Sequence, residues 1–108
     1  MLVLTLAFTK FARNGNPNAW AQHDTGLALG NLMIQAVSMG LVTHGMAGFD
    51  PVKAREIYAI PEDLVPVAAV AIGYLGDPAS LSEKFREREL APRTRKPLDE
   101  LLFDSELS

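Results

Sequence analysis

Two short segments carry the residue types from which a ligand site could be built. Gly45-Met46-Ala47-Gly48 follows an extended piece and has a glycine at each end. Residues this small let the main chain approach a flat ligand, with N–H groups aimed at its heteroatoms. Arg93-Thr94-Arg95-Lys96 sits between Pro92 and Pro97. Three cations held in an extended arm suit a phosphate, because arginine offers a planar fork of donors. Taken singly, glycine loops are common and a basic stretch is equally a solvated surface.

Conventional catalytic chemistry is absent. The chain has no cysteine, so it has neither a thiolate nucleophile nor a disulfide scaffold. His23 and His44 are its only histidines, and neither lies at metal-motif spacing from another. His44, beside the glycine segment, reads as a structural or ligand-lining residue rather than a general base. His23-Asp24 lies near a helix start and reads as capping or packing. No G-x-G-x-x-G or Walker sequence follows a strand, which excludes a Rossmann or P-loop site.

The elements that must position these segments follow from hydrophobic patterning and punctuation. Residues 1–8 predict a strand and 9–16 a polar loop. Pro17 opens a long helix that runs to Ser38 or Met39, and Gly40 ends it. Residues 41–50 are a short extended piece. Asp50-Pro51 starts a helix reaching Tyr58, and Pro61-Glu62-Asp63 is a turn. Leu64 to Leu75 is a nearly unbroken apolar run, a strand buried on both faces. Gly76-Asp77-Pro78 breaks it, Ser80 caps a charged helix through Glu89, and Pro92 stops that helix. Arg93 to Pro97 is extended, and Leu98 to Phe103 predicts a final edge strand. Strands separated by helices give an α+β or α/β class.

Composition bounds the partners. One hundred and eight residues make one domain at most, yet 48% are hydrophobic and only 21% charged. A chain this short leaves much apolar side chain uncovered, so it needs a partner surface. That apolar content excludes disorder. A net charge of −3 argues against a nucleic-acid binder. Charge is concentrated late: residues 1–52 carry only Lys10, Arg13, Asp24 and Asp50. This distribution reads as an apolar core followed by a charged arm.

The membrane readings are weaker. The apolar N-terminus lacks the basic residues that precede a secretory signal. The uncharged stretch Thr25 to Thr43 is long enough to span a bilayer, but Asn31, Gln35 and Ser38 form a polar stripe along it. The favoured reading is a central helix buried inside a soluble protein or dimer. The cysteine-free composition fits a reducing cytoplasm.

Taken jointly, the segments carry a resemblance. Asp24-x-Gly26-x-Ala28-x-x-Asn31-Leu32-x-x-Gln35-Ala36, then Gly40-Leu41 and Gly45-Met46-Ala47-Gly48-Phe49-Asp50, resembles the FMN-dependent nitroreductase family. Ile60-Pro61-Glu62, the strand ending in Gly73-Tyr74-Leu75-Gly76, and the arm Pro92-Arg93-Thr94-Arg95-Lys96-Pro97 extend the match along the chain.

The resemblance implies an α+β, nitroreductase-like sandwich with an antiparallel sheet and a long central helix in the core of a homodimer. It also implies an extended C-terminal arm that adds Leu98 to Phe103 to the partner subunit. Residues 1–108 would be the C-terminal portion of a single domain, the family's N-terminal half being absent. FMN would be contacted by the backbone of Gly45, Met46, Ala47 and Gly48, and its phosphate by Arg93 and Arg95. Some relatives carry glutamate where this chain has Ala47, a departure that bears on substrate choice more than on backbone contacts. The implied reaction takes hydride from NAD(P)H, through the flavin, to small nitroaromatic or quinone-like acceptors, with no catalytic side chain required. No metal, nucleic acid or membrane partner is implied, and the expected location is cytoplasmic. The chain by itself is expected to hold FMN weakly or not at all. The alternative is a truncated, non-catalytic dimerising module that binds no flavin.

Overall fold

Alternating apolar residues at the chain start form β1 (Leu2–Phe8), and the central apolar run forms the ten-residue β3 (Leu64–Gly73). Between them lie α1 (Ala21–Ser38), β2 (Val42–Met46) and α2 (Pro51–Ile57). The strands make one antiparallel sheet in the order β1-β3-β2, with the most apolar strand in the middle. The computed structural model describes residues 1–102. Contacts divide the chain into two compact units, Met1–Leu75 and Gly76–Ser108.

Register sets the two faces of the sheet. Val3 pairs with Val70, and Leu4 with Ala69. At Thr5/Leu6 the register slips, because β3 inserts Val67 between the partner residues Ala68 and Pro66. Thr5 Oγ1 secures this bulge, donating to the Ala68 carbonyl and accepting from its N–H, both at 3.0 Å. Proline has no N–H for a ladder, and a bulge is where a central strand tolerates it.

The core sits under α1. Val70 is fully buried, and with Ala36 and Ile72 it forms a cluster onto which Val3, Leu29 and Leu41 pack. On α1, Ala21, Thr25, Leu29, Met33 and Ala36 turn inward at spacings of four and three, one helical face. The helix closes in a Schellman arrangement. Leu41 N–H donates to the Ala36 carbonyl and Gly40 N–H to the Val37 carbonyl, both at 3.0 Å, with Gly40 at φ +77°. Leu41 is thereby folded back onto the cluster.

The opposite side of the sheet carries α2, which is held by polar bonds. Asp50 Oδ1 accepts from the N–H groups of Val52 and Lys53, at 2.9 and 3.1 Å. At the other end the Arg55 guanidinium donates to the carbonyls of Ile60, Pro61 and Leu64, tying the helix to the start of β3.

Several boundaries differ from expectation. The long helix begins at Ala21, not Pro17, because residues 9–18 form a small hairpin. In it Asn18 N–H donates to the Thr9 carbonyl, Phe11 N–H donates to the Asn16 carbonyl, and Pro17 is bridged to Lys10. In the second unit, Ser80 does not cap the charged helix. Asp77 caps a 3-10 turn over Pro78–Ser80, and α3 (Glu83–Leu90) starts after Ser82.

The expected edge strand at Leu98 to Phe103 is instead a 3-10 turn over Leu98–Glu100. Pro97 presets its entry, Asp99 and Glu100 occupy its first turn, and Lys96 pairs with Glu100 at 3.8 Å across one turn. Phe103 lies outside the described residues. Leu64 to Leu75 is apolar on both faces as expected, but only Val70 and Ile72, on the α1 side, are buried.

Candidate functional site

Of the four glycine-segment residues, Gly45 and Met46 are the last two residues of β2, where a loop was expected, and Ala47 and Gly48 follow directly. β2 pairs only with β3, so its outer side has no strand neighbour. Gly45 lies opposite Val70 and shares the α1 face of the sheet. His44 and Met46 lie opposite Ala71 and Ala69 and share the other face. Nothing stands within 4 Å of where a Cβ would be at Gly45 or Gly48. Among the described residues, the N–H groups of Ala47 and Gly48 donate to no acceptor.

This is backbone that a planar ring could approach closely, with two free donors beside it. Such donors favour negative charge developing on a ligand heteroatom, the logic of an oxyanion hole. The donor set therefore fits a flat, anionic-when-reduced heterocycle such as a flavin. His44 is exposed and contributes no hydrogen bond to the segment.

Arg93 and Arg95 belong to the second unit, on the exposed, irregular segment between α3 and the 3-10 turn. Arg95 Nη1 donates only to the carbonyl of the adjacent Thr94, at 2.8 Å, and Arg93 forms no ion pair among the described residues. Both guanidiniums thus keep donors available for an anion.

The other polar groups read as structural. His23 Nδ1 lies 3.0 Å from Asp24 Oδ1, and the His23 ring meets Trp20 edge-on with centroids 5.8 Å apart. Asp24, in the first turn of α1, also suits the positive end of the helix dipole. No group of three metal-ligating side chains occurs among the described residues. No helix among them is long and apolar enough to cross a membrane.

The nitroreductase family profile matches residues 1–74, more than half of the chain. The chain belongs to the nitroreductase family. Among solved structures, an FMN-containing oxidoreductase, 30% identical, superposes with a TM-score of 0.89 over 99% of this chain and 55% of its own. An uncharacterised 15.4 kDa protein of Mycolicibacterium smegmatis, from the ask 5′ region, is 43% identical over 78% of this chain and 56% of its own length. A Thermus thermophilus protein named NADH dehydrogenase is 38% identical over 52% of this chain and 27% of its own. The chain thus spans about half the length of the first two of these relatives. The α+β architecture with its antiparallel sheet is that of the nitroreductase fold.

Sequence reasoning missed the Arg55 clamp and the placement of His44 and Met46 away from the α1 face. The alternation of β2 against β3 holds the second of these, once the pairing register is known. Nothing local signals the first.

Proposed function

We propose that this chain supplies the ring-facing strand and the phosphate arm of an FMN-dependent oxidoreductase that passes hydride from NAD(P)H to nitroaromatic or quinone-like acceptors. The observation that carries this reading is the superposition of 99% of the chain on an FMN-containing oxidoreductase. When bound, the flavin supplies the hydride chemistry, which agrees with the lack of any catalytic side-chain constellation. Gly45 and Gly48 keep the main chain bare so that a ring can approach. Ala47 and Gly48 N–H groups stabilise negative charge at the ring edge. Met46 contributes its backbone within the same segment, while its side chain lies on the face away from α1. Arg93 and Arg95 bind the phosphate by charge-assisted hydrogen bonds.

The active form in this reading is a homodimer built on α1. Leu27, Ile34 and Val37 stand 58%, 72% and 62% exposed along one side of that helix. Gly26 and Gly30 beside them face open space, so a second backbone could come close. The same stripe favours a second reading, a dimerising module that binds no flavin, because it needs no cofactor to pair.

Titrating the chain with FMN while following flavin fluorescence separates the two. Saturable quenching is expected, weak in this chain, and Arg95→Ala should loosen it ten- to a hundredfold, about 1.5–3 kcal/mol for a charge-assisted bond. Unchanged affinity in that variant would remove the arm from the site. A colourless dimer with no saturable quenching would favour the module.

A further inference from the structure

Only one face of the sheet is covered by α1. On the other, register and alternation place Leu2, Ala71 and His44 in one row across the three strands. Leu4, Ala69 and Met46 form the next. The middle strand contributes only methyl groups to these rows, while both outer strands contribute long side chains. The face is therefore a trough along β3, walled by β1 and β2. Two inter-strand spacings separate the walls by about 10 Å, the width of one α-helix with small contact residues. On the β1 side the trough opens into an apolar cavity of about 450 Å³ beneath α2, lined by Leu2, Leu4, Ala54, Ile57 and Ala69.

This surface is apolar and unfilled. Leu2 is 65% and Ile57 72% exposed. Among the strand residues of the two rows, His44 is the one ionisable group. A two-sided apolar sheet is stable when both faces are packed, so the trough calls for a third layer.

The solved FMN-containing oxidoreductase says where that layer comes from. Its match uses 99% of this chain but 55% of its own, leaving 45% of that protein outside every element described above. We infer that the trough is the seat of one amphipathic helix from this unmatched portion of the family domain. The helix lies along β3 and packs apolar side chains against Ala69 and Ala71. It also buries His44, whose ring then needs a hydrogen-bond partner from the incoming segment. The inference concerns assembly of the fold and does not rest on the flavin reading.

The chain has no cysteine, so Ala71→Cys places a single thiol on the trough floor, and Glu62→Cys places one on an exposed turn as a control. The probe is the unmatched portion of the FMN-containing oxidoreductase, added as a separate polypeptide and also joined ahead of Met1 by a flexible Gly/Ser linker. The linker raises the effective concentration to about millimolar, so weak cross-species pairing is not limiting. Maleimide labelling of Cys at 71 should slow at least tenfold in the joined protein, with labelling at 62 unchanged. Labelling at 71 that keeps the free-chain rate in the joined protein would overturn the inference. Concentration-dependent protection of 71 in the chain alone would also overturn it, by assigning the trough to a second copy. No flavin enters this readout, so its failure is distinct from failure of the redox reading.

Discussion

α1 and α2 lie on opposite faces of one sheet and are held there by different forces. α1 presents one continuous inward face, and its anchor is burial: Ala36 against Val70 and Ile72, with Leu29 and Leu41 closing over them. α2 has seven residues and buries one of them, Ala54. Its anchors are hydrogen bonds at its two ends, the Asp50 cap and the Arg55 clamp, and a cavity remains beneath its middle. The contrast separates a face whose packing is complete within this chain from one prepared for packing by something else. A helix that must leave room for another layer cannot be anchored mainly by filling that room, so the polar ends fix its position instead.

The largest expected effects test the covered face. Val70→Asp would bury an unpaired carboxylate where nothing can accept or neutralise it. The cost is about 4 kcal/mol or more, comparable to the whole stability of a small domain. The variant should lack a cooperative thermal transition and show a collapsed far-UV circular dichroism signal. Ala71→Asp, one residue along on the open face, should cost about 1 kcal/mol or less, the scale of strand preference alone. If both variants unfold alike, the two faces are equally packed and the comparison fails.

A middle-sized effect tests the polar anchor. Arg55→Met keeps an apolar stem but removes the donors to three carbonyls of the α2–β3 connection. Bonds from a charged donor make this worth about 2 kcal/mol, read as a lower urea midpoint with an unchanged slope. Arg55→Lys should recover only part of it, since a single ammonium cannot spread over three acceptors as a planar fork does. A loss under about 0.5 kcal/mol would mean that α2 is held by apolar contact after all.

How much of this was legible before the structure depends on the range of the interaction. β1, β3 and the end of α1 follow from local patterning. Alternation ends at Phe8, an apolar run is bounded by Pro61-Glu62-Asp63 and Gly76, and a glycine sits where the left-handed residue must be. Features set by partners distant in sequence were not legible. Pro17 is a good helix opener, but its pairing with Lys10 holds it extended, and a propensity argument does not register that bridge. Leu98 to Phe103 has the apolar content of an edge strand, yet Pro97 and two acidic residues favour a local turn over Leu98–Glu100. For the site, Gly45 to Gly48 was readable as bare backbone. That it closes an edge strand, with Met46 and His44 on the face away from α1, required the register with β3. Arg55 looks like any exposed helix arginine until the chain returns five to nine residues later.

The smallest effect sharpens the comparison at the helix ends. Both helices finish in the same hydrogen-bonded pattern: Leu41 N–H reaches back to the Ala36 carbonyl, and Ile60 N–H to the Arg55 carbonyl, each at 3.0 Å. The left-handed position is glycine after α1, at φ +77°, but Ala59 after α2, at φ +49°. A Cβ in that region costs about 1–2 kcal/mol, partly offset because glycine loses more chain freedom on folding. Gly40→Ala should therefore destabilise by about 1 kcal/mol, while Ala59→Gly should stabilise by about 0.5 kcal/mol. Paired thermal melts would resolve the opposite signs. A stabilising Ala59→Gly locates unrelieved backbone strain on the α2 side, where the Arg55 bonds to Ile60, Pro61 and Leu64 hold the connection in its turn. A destabilising one would mean that this connection does not need the left-handed residue, and the α2 end would then be set by the guanidinium alone.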